Sequence, residues 1–458
     1  MARTASTTVD RPAAGRPATE APRARRRVGL AGMAAPQGTP ATIQALIALL
    51  VILALAWGGF AAWAVTQHSS AASSLAHDDE PYSYDAQQLY LAIADADVTI
   101  TTSFLKDSSA PAGSPLPSSL VARQRFNHDL ISASDYLADL RNPGGSSQFT
   151  QAVAAIAGGM PDYYRDVAFA DTEYQQGVTP AGDSSMEVAS EDAYLTLLPN
   201  AKELYLLENN AVMASSSQAT SLMTVIIAFV VAIIAAVVLI LVQRWHTRRT
   251  HRVFNVGLVV ASGALLVSAL WLAGAFVVAR SDLSTAIGQG ANPAESLAQA
   301  SIDVQQIRGD SILNVIARSG STSLSLDSAA QAKQVGPGSG TLLGTAASAG
   351  NAKATAALQP AISAAPGWYA TNAQGYTFGT TYMYANEQDS VISSANNGYT
   401  TVNNSVKNAL TAAQATFNSQ ADAGSSAFGP VEAIVIIAAV LMAGMSAWGL
   451  SRRLGEYR

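Results

Sequence analysis

The residues best suited to chemistry in this chain are five histidines, a glycine-rich stretch and three arginine-rich segments. None has the spacing that catalysis requires. His68, His77 and Asp78 could approach a metal ion, but no further ligand fixes a coordination geometry, so no metal site is expected. His246 and His251 fall among arginines and are read as added, titratable interfacial charge. His128 is the fifth. The glycines from Gly336 to Gly344 follow no strand and precede no phosphate-binding lysine, so they read as a loop. H-E-x-x-H, P-loop, G-x-S-x-G, G-x-G-x-x-G and EF-hand patterns do not occur. The chain has no cysteine, which excludes disulfides, thiolate metal sites and a thiol nucleophile. The expectation is a protein without enzymatic activity, catalytic residues, cofactor or metal, and nucleic acid is not among its expected partners.

If side-chain chemistry is not the activity, the elements must carry it. The 458 residues are 49% hydrophobic and 13% charged, between a soluble domain and a polytopic transporter. Four stretches are long and apolar enough to cross a bilayer, which takes roughly 20 residues. They lie at residues 43–66, 221–243, 253–279 and 431–450. No charge sits at mid-depth in any of them, which argues against transport by this chain alone. The first reads as an uncleaved anchor, because its apolar core is too long for a signal peptide. Gly257, Ala261, Ala439, Ala443 and Ala447 have the spacing of close helix packing, although general alanine richness would also supply them.

Arginine placement orients the spans. The tail at 1–42 carries seven arginines, the loop at 244–252 carries Arg244, Arg248, Arg249 and Arg252, and the tail at 451–458 carries three. Together they hold 14 of the 26 basic residues. Both termini and the short loop are therefore expected in the cytoplasm of a multi-pass plasma-membrane protein, and both long segments outside. Trp57, Trp63, Trp245 and Trp448 lie near span ends and fit interfacial anchoring.

The outside segment at 67–220 shows four helical stripes. They are Leu89–Ile93–Ile100–Phe104, then Phe126–Leu130–Leu137–Leu140, then a run from Phe149 to Tyr174, then Met186, Ala193, Leu197, Leu204, Leu207 and Ala211. This is the pattern of a four-helix bundle. Gly158, Gly159 and Pro161 predict a kink or break in the third helix. Nothing after Pro199 stops the fourth, which is expected to run into span two. The segment at 280–430 reads as a second helical domain, with Leu297, Val304 and Ile307 first, a loop from about Gly320 to Gly350, and a late helix from Val391 to Phe417. Gly429 and Pro430 break it before span four. The fold class is thus an all-α membrane protein with four transmembrane helices and two extracytoplasmic helical-bundle domains, a span–bundle–span layout written twice. Asp85–Phe104 and Ala294–Leu313 occupy equivalent places.

Such a layout can report outside binding as piston, tilt or rotation of a span. The coupling helix is expected at Leu204, Leu207, Ala211 and Met213, leading into span two. The expected inner parts are a basic tail, a loop and a short C-terminal tail, so a signal that crosses needs a second protein inside. Arg244, Arg248, Arg249 and Arg252 are the candidate contact to that protein or to anionic lipid. A homodimer is compatible with the bundle architecture. A direct small-ligand sensor, an envelope assembly protein and a transporter accessory subunit are the competing readings.

Several stretches carry a family resemblance. They are DAQQLYLAIADADVTITTSFL from Asp85, FNHDLISASDYLADL, LPNAKELYLLENN before span two, ESLAQASIDVQQIRGDSILNVIARSG after span three, and NNGYTTVNNSV. With the duplicated layout, these resemble actinobacterial four-span membrane proteins of the GlnX type. The resemblance implies a place between an extracytoplasmic glutamine-binding-type lipoprotein and the cytoplasmic serine/threonine protein kinase G. It further implies relay of aspartate or glutamate availability. It supplies no catalytic residues, and it assigns ligand binding to the lipoprotein.

Overall fold

The computed structural model describes residues 39–109, 117–140, 146–250, 255–318, 322–394 and 398–454. The expected tails and Arg252 therefore lie largely outside the described residues. Those described form helices and no strand.

Four helices are long and apolar enough to span a membrane. α1 (Thr39–Ser74) holds the first stretch, α7 (Met223–Thr250) the second, α8 (Val256–Thr285) the third and α15 (Val431–Leu454) the fourth. They close into a ring in which α1 and α8 each pack on both α7 and α15. Leu50, Trp57, Leu239, Leu265 and Val435 fill its centre. Ile52, Leu55, Ile233, Leu266, Leu270 and Val440 remain exposed on the outer faces, as lipid-facing positions would. Small residues set the closest approaches. Gly58 lies against Cβ of Ala439, and Gly257 against the backbone of Met445 and Gly449. Trp57 is not an interfacial anchor. It is fully buried, and its Nε1 donates across the ring to Ser268 Oγ at 3.2 Å, because an indole N–H inside an apolar layer needs an acceptor. Trp63 and Trp448 are half exposed.

Above the ring, two spans continue into the helical mass without a loop. α1 passes through a π-helical turn at Leu75–Asp79 into α2 (Glu80–Ser109), and α8 through another at Ala286–Ala291 into α9 (Asn292–Ile316). The first unbroken run is 65 residues and the second 61. At 1.5 Å per residue each is about 95 Å long. The two π turns occupy equivalent places, so the duplicated layout extends to this detail. Both sit in a narrow neck where Leu75, Val212, Leu283, Ala286 and Phe417 pack together.

Beyond the neck the remaining helices surround α2 and α9. They are α3 (Pro117–Asp139), α4 (Ser147–Gln175), α5 (Thr179–Asp192), α6 (Leu198–Ala219), α10 (Thr322–Val335), α11 (Leu342–Ser348), α12 (Ala352–Thr380), α13 (Tyr384–Ser394) and α14 (Thr400–Ser426). The two segments are not separate bundles with separate cores. α2 packs directly on α9, and Leu89, Ile93, Ile156 and Leu197 join Ile302, Ile307, Leu358 and Val402 in one apolar core.

Local expectations differ from the structure at four places. Of the kink or break expected in α4, the break is absent, since the helix runs through Pro161, and Gly159 there allows Leu197 to pack close. α6 does not run into α7. It ends at Ala219, and Thr220–Leu222 are not helical. Most of the expected loop from Gly320 is helical, as α10 and α11; the turn is confined near Gly340, at φ +81°, before Thr341 caps α11. The expected late helix is two elements, with Val391 in α13 and Val402 to Phe417 in α14. The break at Gly429 and Pro430 is present, between α14 and α15.

Candidate functional site

α7 carries the predicted arginines to its end. Arg244 and Arg248 are exposed, and Arg249 lies in the last turn of the helix. Arg252 is outside the described residues. The predicted coupling helix is α6, packed on α1, α2 and α4. Leu204 is fully buried and Leu207 half-buried against the outer core. Ala211 and Met213 flank the buried seam rather than form it. The seam runs through Glu208, Val212, Ser216 and Ala219, since residues four apart share a helix face.

Where α6 stops, His68 of α1 fills the gap. Its Nδ1 donates to Ala219 O at 3.0 Å, which leaves Nε2 to accept from Thr224 Oγ1 at 2.6 Å. The ring stands edge-on to Phe276 of α8 and stacks near Phe428, between α14 and α15. Burial lowers the histidine's pKa, partly offset by the bond to Ala219. One imidazole therefore touches all four span-bearing runs. His77 is exposed and lies 3.8 Å from Asp422, so the two histidines are engaged with different partners.

A second arrangement was not foreseen from sequence. A cavity of about 440 Å³ opens between α2, α3, α9 and α14. Arg308 forms part of its wall. This arginine is 1% exposed. It donates to Val391 O at 2.8 Å and, at 3.4 Å each, to Ser394 Oγ and Thr102 Oγ1. Its Nε is buried without a partner. The Tyr399 ring lies 5.5 Å from the guanidinium carbon. No carboxylate forms an ion pair with Arg308 among the described residues. Burial pushes its pKa down to about 10, with Tyr399 and Tyr194 acting the other way.

The same wall ties the two segments together. Asp95 of α2 accepts from Gln305 of α9 and from Lys407 of α14. Gln305 in turn accepts from the Tyr399 hydroxyl at 2.5 Å. Asn403 lines the cavity, and its Oδ1 is buried without a partner. The sequence signal for this site was hidden in α9. Its apolar stripe of Leu297, Val304 and Ile307 is buried as expected, but Asp303, Gln305, Arg308, Asp310 and Asn314 are buried too. A helix enclosed on all sides has no solvent face to which these side chains could turn.

Deeper in the core, Asp97 of α2 accepts from Tyr163 at 3.1 Å and Ser190 at 3.0 Å through the same oxygen. Burial raises its pKa to about 6, and the two hydrogen bonds oppose the shift.

No curated protein matches the chain, and no solved structure does. One family does match in part: residues 71–217, from the end of α1 through α6, are similar to the Actinobacterial sensor domain.

Proposed function

We propose that the chain is a non-enzymatic transmembrane signal transducer, with its large helical domain outside the cell and both termini in the cytoplasm. The observation that carries this reading is helix continuity. α2 and α9, which form the centre of the outer core, are the same unbroken helices as spans one and three. A shift of α2 against α9 must reach the membrane as a shift of α1 against α8, because no loop absorbs it. The sensor-domain match over 71–217 supports a sensing role. A signal of this kind requires two states that a stimulus binds unequally. The neck, with its two π turns, is the place where the helices can exchange registers.

The finer reading comes from the family resemblance. The stimulus is a solute-binding lipoprotein reporting aspartate or glutamate, and the output is a cytoplasmic serine/threonine protein kinase. Arg244 and Arg248, with Arg249 and Arg252, face that kinase or the anionic lipid beside it. Affinity recovery of the tagged chain from native membranes, followed by mass spectrometry, tests the relay. Co-recovery of a solute-binding lipoprotein and a kinase supports it. Recovery of neither with intact, embedded protein refutes it. A second reading, direct sensing of a small ligand, is favoured by the Arg308 cavity.

A further inference from the structure

We propose that the cavity between α2, α3, α9 and α14 binds a small organic carboxylate, with Arg308 as the anchoring charge. A guanidinium stays protonated, and burying it without a counter-charge is strongly unfavourable unless an anion completes it. Arg308 has five N–H donors to satisfy. Its one bond of good length goes to a neutral carbonyl, two are stretched to 3.4 Å, and Nε has none. It is not enclosed in solid core, because it borders a cavity with room for a metabolite-sized molecule. Lys106 and Arg125 border the same cavity and add positive potential there, the latter also 3.7 Å from Asp129 on the same helix.

The rest of the lining selects among anions. Val98, Val121 and the Tyr399 ring offer apolar surface to a carbon skeleton, which inorganic phosphate lacks. The unpartnered Asn403 Oδ1 is an acceptor, repelling further anionic oxygens and suiting a hydroxyl or amino group on the ligand. Asp95 is already held by Lys407 and Gln305, so it presents little free negative charge. A planar carboxylate suits the guanidinium fork. Ligand binding would also draw α9 and α14 toward α2 and α3, which belong to the other segment.

This inference rests on the sensing reading for its purpose, though not for its test. The test is titration calorimetry of the full chain in lipid nanodiscs, with succinate and L-malate as probes and inorganic phosphate and succinamide as controls. We expect saturable binding of at least one acid and of neither control. Arg308→Gln should abolish it. Arg125→Gln, an exposed change that leaves the core intact, should weaken it three- to tenfold. Asn403→Ala should weaken malate and leave succinate unchanged. Arg248→Gln, at the far end of the spans, should change nothing. Failure of both acids to bind, binding of phosphate alone, or equal affinity in the Arg125 and Arg308 variants would overturn the proposal. A failed titration beside successful recovery of partners removes the site and leaves the transducer; the converse removes the relay and leaves the site.

Discussion

The Tyr194 hydroxyl lies directly against the backbone of Gly309, so the π-helical turn Ala193–Leu197, between α5 and α6, reaches the central helix of the second segment through this side chain. A methyl group at Gly309 would overlap that oxygen. Gly309→Ala should therefore destabilise the protein by about 1–3 kcal/mol through overpacking. Thermal unfolding in nanodiscs would measure it, and Tyr194→Ala in the same chain should return part of the loss. Equal stability of Gly309→Ala and wild type would mean that the two segments do not meet there.

Asp97 makes stability depend on pH in a defined direction. Its folded pKa of about 6 lies above the usual 3.8. The fold thus prefers the protonated acid, a contribution fully present below pH 3.8 and lost as pH rises through 6. Asp303, near 6, and Asp310, near 7, act in the same sense. The protein should melt at higher temperature at pH 5.5 than at pH 8. Asp97→Asn keeps an oxygen for Tyr163 and Ser190 and removes the charge. It should gain up to about 3 kcal/mol at pH 8, shrinking toward zero near pH 4. A variant less stable than wild type at pH 8 would contradict the assignment.

His68 joins the end of α6 to the start of α7. Replacing it with Ala deprives Ala219 O and Thr224 Oγ1 of their partner, at about 1–2 kcal/mol. The loss should be local. Amide hydrogen exchange should rise across Thr220–Thr224 while the core of α9 stays protected. Unchanged exchange there would show that the imidazole does not hold the junction.

Because the chain has no cysteine, orientation can be read with single introduced thiols. Gln218→Cys at the end of α6 and Ser451→Cys at the end of α15 are both at exposed positions. On intact cells a membrane-impermeant maleimide should label the first and not the second. The reverse pattern would invert the proposed topology.

The spans, the outer helices and the duplicated order were legible because hydropathy and helical periodicity are local properties. Leu89, Ile93, Ile100 and Phe104 were read as one stripe, and all four are buried on α2. What was hidden depends on contacts between distant residues. Nothing near Arg308 in the sequence indicates that Val391, Thr102 and Tyr399 surround it, more than 80 residues away on either side. Trp57 looked like a membrane anchor because only position along the span was visible, and its acceptor Ser268 is 211 residues distant. Gly159 and Pro161 looked like breakers because composition does not distinguish a glycine that ends a helix from one that admits a neighbour. The end of α6 at Ala219 was missed because its cap is the side chain of His68, on another helix.

The shared core gives the duplication a further meaning. A protein assembled from two identical copies would place the same residue on both sides of its interface, and any site there would occur twice. Here the two segments lie in one chain and differ in sequence. With Asp85 aligned on Ala294, Arg308 falls opposite Thr99, a neutral residue bordering the same cavity. Charges differ elsewhere along the same alignment, with Asp95 opposite Val304 and Asp97 opposite Gln306. The buried arginine that borders the cavity therefore occurs once, with no counterpart in the other half of the chain.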